Sequence, residues 1–256
     1  SLQPGWTDRW SRFRMFLFRC RMPPPYLDGR AVTSSGQTSR IFVGRQREMG
    51  ELRAALKESF AGHGRIVMLM GEPGIGKTRT AEELASHAET QGAQVLWGRC
   101  YEEDGAPSYW PWVQAIRSYV EPRNSDQLQV DLGPNAADIA EIVPEIRRKL
   151  TDLETPPDLP PEQARFRLFE SITSFLKTLA RSKPIMLVLD DLHWADEPSL
   201  LLLQFLAQQL ADSHILVVGC YRDVELSRQH PLSETLARIS READYQRHAL
   251  RRMGPG

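Results

Sequence analysis

The sequence predicts an α/β fold in which a mostly parallel sheet lies between two layers of helices. Apolar runs of strand length alternate with amphipathic segments of helical period, which is the pattern of strand–helix–strand units. A glycine-rich segment, residues 71–78, separates the first apolar run from the helix that follows it. A later run, residues 185–189, is wholly apolar and ends in two aspartates. A strand that is buried on both faces of a parallel sheet has this uninterrupted apolar character.

The composition is that of a soluble globular chain that can fill one sizeable core. Of its 256 residues 41% are hydrophobic, and 32 basic residues balance 33 acidic ones to a net charge of −1. Such a balance gives no global field towards nucleic acid or an anionic membrane. No apolar stretch reaches the length of a membrane span, and the three cysteines are too far apart in sequence for a disulfide framework or a metal cluster. We therefore expect a cytoplasmic protein with no direct nucleic-acid site and no membrane contact.

The folded core is expected to span residues 41–252, with a tail at 253–256. Residues 1–40 join an Arg/aromatic segment to a linker rich in Pro, Ser and Gly, and they show no sustained period. We interpret them as a weakly ordered N-terminal extension. Binding of this basic aromatic segment to nucleic acid or to a membrane surface is the less favoured alternative.

Within the core, the periodicity assigns most segments to helices or strands. Strands are predicted at residues 65–70, 95–97, 185–189, 215–220 and 245–250. Helices are predicted at residues 46–60, from the glycine-rich segment to residue 91, and at 109–120, 161–182, 197–210 and 232–239. Phe166 and Phe169 share the apolar face of the helix that begins at Pro161. The polar stretch 121–160 contains one further helical piece, residues 136–150, which Pro144 kinks or divides.

The glycine-rich segment has the G-x-x-x-x-G-K-[ST] form of a phosphate-binding loop. Its glycines can adopt positive φ and leave room for a polyphosphate, so that backbone N–H groups form an anion site at a helix N-terminus. Lys77 would reach the β- and γ-phosphates, and Thr78 would offer its hydroxyl to Mg²⁺. An ordinary strand-to-helix turn is the weaker alternative. The candidate nucleotide ligands are Gly71, Glu72, Pro73, Gly74, Ile75, Gly76, Lys77, Thr78 and Arg79.

Asp190 and Asp191 form the candidate acidic half of the site, since an apolar run that ends in acids has the form of a Walker B element. Ligands of open α/β sheets bind beyond the carboxyl ends of the strands, so both acids should lie near the phosphate loop. Asp190 would hold Mg²⁺, and Asp191 would orient or deprotonate the attacking water. A strand that ends in a solvated turn is the alternative.

Two more residues should reach the same edge of the sheet. Arg222 follows the strand at 215–220 and is placed to complement phosphate charge in a transition state, although a solvated loop arginine is an equal alternative. His193 could relay a proton or sense the γ-phosphate, but a single loop histidine more often has a structural role. Asp196 is predicted to cap the next helix. The aromatic cluster at 109–112 is assigned to packing rather than to base stacking.

The order of these motifs resembles the AAA+/STAND-type modules, an ASCE/AAA+-like branch of the P-loop NTPases, over residues 41–252. It is similar to the ATPase domain of large LuxR-type transcriptional regulators and of related bacterial multidomain signalling proteins. The resemblance implies that Val43, Gly44 and Arg45 help to form the adenine side of the pocket, and that Arg222 is a sensor-1-like residue. Unlike family members, the sequence shows no lid domain, second arginine sensor or DNA-reading element after the last strand. The motifs that carry the likeness are Phe42–Arg45, the loop at 71–78, Ser108–Trp112, LVLDDLHWAD at 187–196 and GCYRDVEL at 219–226.

Together these features predict a module that binds Mg·ATP and hydrolyses it slowly, as the switch of a signalling or transcription-regulatory protein. The choice of ATP over GTP rests on the resemblance and on the absence of an N-K-x-D motif. The expected partners are ATP, ADP and other domains or subunits of a regulatory assembly. Two alternatives stay open: a nucleotide-dependent interaction module without useful turnover, and a truncated fragment of such a regulator, to which the initial serine is a hint.

Overall fold

A single parallel sheet forms the centre of the computed structural model, which describes residues 45–102, 106–223, 227 and 230–251. Its strands are β1 (Arg65–Met70), β2 (Gln94–Arg99), β3 (Ile185–Asp190), β4 (Ile215–Tyr221) and β5 (Tyr245–Ala249). They lie in the order β2-β3-β4-β1-β5, and every neighbouring pair is parallel. With helices on both faces, this is the three-layer α/β fold of the P-loop NTPases, as the sequence predicts.

Most helices in the described residues lie where the sequence periodicity predicts them. Those that flank the sheet are α1 (Gln46–Phe60), α2 (Lys77–Thr90), α3 (Trp110–Val120), α7 (Pro161–Ser182), α8 (Glu197–Ala207) and α9 (Pro231–Glu242). Asp196 caps α8 as expected, because its Oδ1 accepts a hydrogen bond of 3.0 Å from the backbone N–H of Ser199. Among the described residues, no helix combines the length and the apolar character that a bilayer crossing requires.

The segment between α3 and α7 is more helical than the sequence suggests. It contains α4 (Ser125–Leu132), which was not predicted, and the expected piece at 136–150 is divided into α5 (Ala136–Ile139) and α6 (Glu145–Lys149). Asn124 begins α4 with a capping box, in which its side chain accepts from the Gln127 N–H at 2.9 Å. Leu128 and Leu132 are buried in the main core. Tertiary burial therefore stabilises helices that are too short to show a period.

Phe166 departs from its predicted place on the buried face of α7. Its exposure is 53%, whereas Phe169, three residues later, is 6% exposed. The Phe166 ring rests edge-on against Phe205, with 5.5 Å between the ring centroids. The Phe205 ring of α8 therefore covers only part of this side chain, and the rest remains exposed to solvent.

The aromatic cluster before and within α3 is part of the packing between the sheet and α8. Trp112 is 1% exposed, and its indole Nε1–H donates to the Ser199 carbonyl at 3.2 Å. The Tyr109 ring packs edge-on against Phe169 at 6.1 Å. These contacts confirm the packing role that the sequence favours for the cluster. The α3 helix also packs closely against β2 near its carboxyl end, since a Cβ at Gly98 would overlap the Pro111 carbonyl oxygen.

Candidate nucleotide-binding site

The glycine-rich segment turns from β1 into α2 through backbone conformations that favour glycine. Gly74 and Gly76 have φ of 73° and 97°. A Cβ at Gly74 would meet no atom within 4 Å, so this part of the loop borders open space. Gly71, with φ of 151°, differs, because a Cβ there would lie 2.6 Å from the Leu250 carbonyl oxygen. We therefore assign Gly71 to close packing against the chain after β5, not to making room for a ligand.

The Lys77 side chain lies across this loop. It is 6% exposed, and its Nζ donates to the carbonyl oxygens of Gly71 and Glu72, at 3.0 Å each. Burial is the main cause that lowers its pKa, and the positive charge of Arg222 acts in the same direction. Asp190 and Asp191 oppose this shift, so both acids are close enough to interact with the ammonium group.

Thr78 and Asp190 join the two halves of the predicted site. The Thr78 hydroxyl lies 3.2 Å and 3.0 Å from the two carboxylate oxygens of Asp190, across a sequence separation of 112 residues. Asp190 is only 1% exposed. Burial, followed by the negative charge of Asp191, raises the pKa of its carboxyl group. A buried carboxylate of this kind gains most from a cation beside it.

Asp191 is held by a residue that the sequence analysis missed. Arg99, at the end of β2, donates from Nε and Nη2 to Oδ2 of Asp191 at 3.1 Å and 2.9 Å. This hydrogen bond is the main cause that raises the pKa of the guanidinium group. Gln114 of α3 fixes the Arg99 backbone by accepting from its N–H at 3.0 Å and donating to its carbonyl at 3.2 Å. Arg99 was detectable, because the strand-end rule that selects Asp190 and Arg222 applies equally to β2.

Cys220 is a second residue that the sequence analysis left out of the site. It is fully buried in β4. Burial raises the pKa of its thiol, and so do the charge of Asp190 and a hydrogen bond with that carboxylate. The Asp190 carboxylate is therefore bordered by two neutral hydrogen-bonding side chains, a hydroxyl and a thiol. From the sequence, the position of Cys220 in an apolar strand suggested only a small buried residue.

Three arginines were also predicted to belong to this site. Arg45 is 5% exposed and donates from Nη2 to the Ile75 carbonyl of the loop, while its buried Nη1 has no hydrogen-bond partner among the described residues. Arg222 is half-buried just after β4. Arg79 instead pairs with Glu82 and Glu83 on the exposed side of α2, at 3.2 Å and 3.8 Å. The predicted pocket residues Val43 and Gly44 lie outside the described residues.

The charges of this edge of the sheet suit a polyanion. Four cationic side chains lie near the phosphate loop or the acids at the end of β3, and positive charge of this kind attracts phosphate groups. The cations are Arg45, Lys77, Arg99 and Arg222, and the acids are Asp190 and Asp191. Two of these cations, Lys77 and Arg45, are themselves buried against the loop.

The model of the AAA ATPase domain family matches residues 41–218. The chain belongs to this family. This membership makes it a nucleotide-binding ATPase module, and the fold and the phosphate loop agree with that assignment.

Individual relatives of this AAA ATPase domain are distant. An uncharacterised protein of Rhizobium meliloti (strain 1021) is 22% identical over 204 residues, which are 73% of this chain and 19% of the relative. The chain thus spans about a fifth of that protein's length. A STAND protein with a tetratricopeptide repeat sensor from Pyrococcus horikoshii is 15% identical, with a TM-score of 0.44 over 84% of this chain and 24% of that one. A chain of the Drosophila ORC bound to DNA is 13% identical, with a TM-score of 0.42 over 81% of this chain and 93% of that one.

Proposed function

We propose that this chain binds Mg·ATP at the phosphate loop and hydrolyses it slowly, as the switch module of a larger signalling or transcription-regulatory protein. The observation that carries the proposal is the contact between Thr78 and Asp190, at 3.0 Å to the nearer oxygen. It brings the hydroxyl of the phosphate loop against the buried acid of β3, beside the Lys77 ammonium. An ATPase needs these three groups at one place.

Thr78 and Asp190 fit a magnesium ion. Mg²⁺ prefers oxygen ligands, keeps several waters and commonly uses one or two protein groups together with substrate phosphates. Within the described residues no group of three or more His, Cys, Asp or Glu side chains could hold a metal alone. The Thr78 hydroxyl and the Asp190 carboxylate would hold the ion, which would supply positive charge against the phosphates.

Asp191 is the residue we assign to the attacking water. It directly follows the metal-binding acid and interacts with Lys77, so its carboxylate borders the position of the γ-phosphate. In the structure its Oδ2 is bound by Arg99. An oxygen that already accepts two guanidinium N–H groups has less capacity left to accept a hydrogen bond from water. This contact supports the proposal that turnover is slow.

The cations would offset charge on the nucleotide. Lys77 would leave the loop carbonyls for the β- and γ-phosphates, and Arg222 would act on the charge that develops during hydrolysis. The buried Nη1 of Arg45 has no hydrogen-bond partner in the part of the chain that the structure describes, which gives a specific reason to place a ligand near the entrance of the loop. This supports the expected contribution of Arg45 to the adenine side of the pocket.

A switch role within a larger protein is supported by resemblance. The chain covers only 19% of its Rhizobium relative, and the order of its motifs resembles the ATPase domain of LuxR-type regulators. On this proposal residues 41–252 form the ATPase core, and the partners are other domains or subunits of a regulatory assembly in the cytoplasm. The Arg99 contact also favours a second candidate, an interaction module that responds to ATP or ADP without useful turnover.

Calorimetric titration with ATP and with ADP in Mg²⁺ tests nucleotide binding by the chain. We expect saturable binding to the wild type and a loss of affinity of about 100-fold in Lys77→Ala, because a charge-assisted contact to two phosphates is removed. The exposed Lys57 of α1 offers a matched control, and Lys57→Ala should bind as the wild type does. Equal affinities of the wild type and Lys77→Ala would contradict the phosphate-loop assignment.

Single-turnover hydrolysis separates the two candidate functions. We expect Asp191→Asn to lower the rate by about 100-fold and to leave the ATP affinity within about threefold, since the amide keeps the shape but cannot accept a proton. Thin-layer separation of radiolabelled ADP from ATP measures the rate. A wild-type rate no faster than that of Asp191→Asn would favour the interaction module without turnover.

A further inference from the structure

His193 is a fully buried side chain beside the acid that we assign to the attacking water. Its side chain has 0% exposure, and its Nε2 lies 4.0 Å from Oδ1 of Asp191. The other carboxylate oxygen, Oδ2, is bound by Arg99. The two oxygens of Asp191 therefore face two different basic side chains, one on each side.

A short 3₁₀ turn brings the His193 ring to this position. Asp191 has φ of 55° and ψ of 41°, a left-handed conformation that Asp tolerates better than most residues. The Trp194 N–H donates to the Asp191 carbonyl at 2.9 Å and closes the turn over residues 192–194. The Trp194 ring lies 5.1 Å from the imidazole. The turn thereby folds residue 193 back towards residue 191.

His230 holds the same turn from the other side. Its Nδ1 accepts from the Leu232 N–H at 3.2 Å, so the proton of the neutral ring is on Nε2. That Nε2–H donates to the backbone carbonyl of His193 at 3.1 Å. Because His230 also begins α9, this bond anchors the turn to the end of a packed helix. The His193 backbone is thus fixed independently of the ring that faces Asp191.

We propose that His193 is a positioning residue for Asp191, which keeps the carboxylate directed towards the phosphate loop. The inference rests on the proposed hydrolysis of ATP. At 4.0 Å the Nε2 atom is beyond direct hydrogen-bond range, so the polar edge of the ring confines the carboxylate by its position beside Oδ1. Without it, Asp191 would be held by Arg99 alone and would turn towards β2, away from Lys77. His193 then acts on the rate of hydrolysis through Asp191 and has little influence on nucleotide binding.

Kinetics of four variants test this role. We expect His193→Leu, which keeps the bulk but has no polar atom, to lower the single-turnover rate about tenfold with ATP affinity within about twofold. In His193→Gln the side-chain amide reaches the place of Nε2 and should restore most of the rate. In the Asp191→Asn background, His193→Leu should cause no further loss, because a residue that acts through Asp191 has nothing left to position. His214, whose ring Nδ1 bonds the Phe60 carbonyl at 3.0 Å beyond the opposite edge of the sheet, provides the control His214→Gln.

Other results would overturn the proposal. Equal losses from His193→Leu in the wild-type and Asp191→Asn backgrounds would show that the ring serves packing alone. So would a His193→Gln rate as low as that of His193→Leu. If the wild type binds ATP but does not hydrolyse it, the proposed function fails, and the contact is then judged by a measurement that needs no turnover.

Imidazole nitrogen spectra of the ¹⁵N-labelled full chain provide that measurement. We expect Asp191→Asn to shift the ring nitrogen resonances of His193, which are assigned by their absence in His193→Gln, and to leave those of His214 in place. The carboxylate charge is removed 4.0 Å from one ring and far from the other. Unchanged His193 resonances in Asp191→Asn would overturn the proposal whether or not the chain hydrolyses ATP.

Discussion

The two halves of the candidate site are built in different ways. The phosphate loop is local, because the carbonyls that hold Lys77 belong to Gly71 and Glu72, within six residues of it. The acidic half is assembled from distant segments, since Asp190 and Asp191 take their partners from α2, β2 and β4. A motif can therefore describe the contacts of the first half, whereas the Walker B motif gives the two acids of the second half but not their partners. The bond between Thr78 and Asp190 is the point at which the two halves meet.

This difference separates binding from catalysis in the proposed function. The local half carries the backbone N–H groups and the lysine that recognise phosphate, which are common to many nucleotide-binding proteins. The distant half decides what happens to the bound nucleotide, because Arg99 and His193 both face the acid that would activate water. Substitutions in the second half should therefore alter rates more than affinities.

Asp190→Asn should have the largest effect, since it removes the charge at the junction of the two halves. We expect the Mg²⁺-dependent gain in ATP affinity to fall about tenfold and hydrolysis to fall about 100-fold, because a neutral amide is a poorer ligand for a hard cation. Titrations with ATP in Mg²⁺ and in EDTA measure the gain. The exposed Asp212 offers the control Asp212→Asn. An unchanged magnesium dependence would mean that the halves meet without sharing a metal.

Arg99→Gln tests whether the contact from Arg99 to Asp191 lowers the rate of hydrolysis. Release of Oδ2 of Asp191 should raise the single-turnover rate by about threefold to tenfold, because this oxygen is then free to accept a hydrogen bond from the attacking water. ATP affinity should change little. The exposed Arg53 of α1 provides the control Arg53→Gln. A slower rate in Arg99→Gln would instead show that Arg99 holds Asp191 in its working position.

The same contrast explains what could be predicted from the sequence. The strands and the phosphate loop were predictable, because each depends on the apolar pattern or the glycine spacing of one short segment. The rule that ligands bind at strand ends correctly brought Asp190 to Thr78 across 112 residues. The rule predicts which side chains lie at this edge of the sheet, but it does not predict which of them bond to each other. The bond from Arg99 to Asp191 was therefore missed.

Two further misses share a physical cause. The α4 helix was not predicted because its residues have little intrinsic periodicity and are ordered by the burial of Leu128 and Leu132. Phe166 was placed on the apolar face because its spacing from Phe169 is helical, yet its ring is only partly covered by Phe205 and stays 53% exposed. In both cases the burial that decides the outcome is tertiary, although the Asn124–Gln127 capping box was a local sequence signal for the start of α4.

The smallest expected effect concerns the stability of the nucleotide-free chain, and it follows from the burial of Asp190. Because burial raises the pKa of this carboxyl group above its ordinary value of 3.8, the folded chain binds a proton more tightly than the unfolded chain does. The contribution of Asp190 to the free energy of unfolding is then fully present below pH 3.8. It is lost as the pH rises from there through the raised pKa. At neutral pH the buried charge of Asp190 therefore destabilises the folded chain when no cation is bound.

Asp190→Asn should remove the destabilisation that this buried charge causes. The amide oxygen still accepts from Thr78 and from the Asp191 N–H, so these two hydrogen bonds are kept while the charge is lost. We expect the variant to be more stable than the wild type by about 1 kcal/mol at pH 7 without Mg²⁺ or nucleotide, a gain typical of relieving strain at a functional site. Urea unfolding followed by circular dichroism at pH 7 and pH 5 measures the difference, which should shrink at the lower pH. If the variant is less stable at both pH values, the charge is already compensated within the protein, and the junction does not depend on a bound cation.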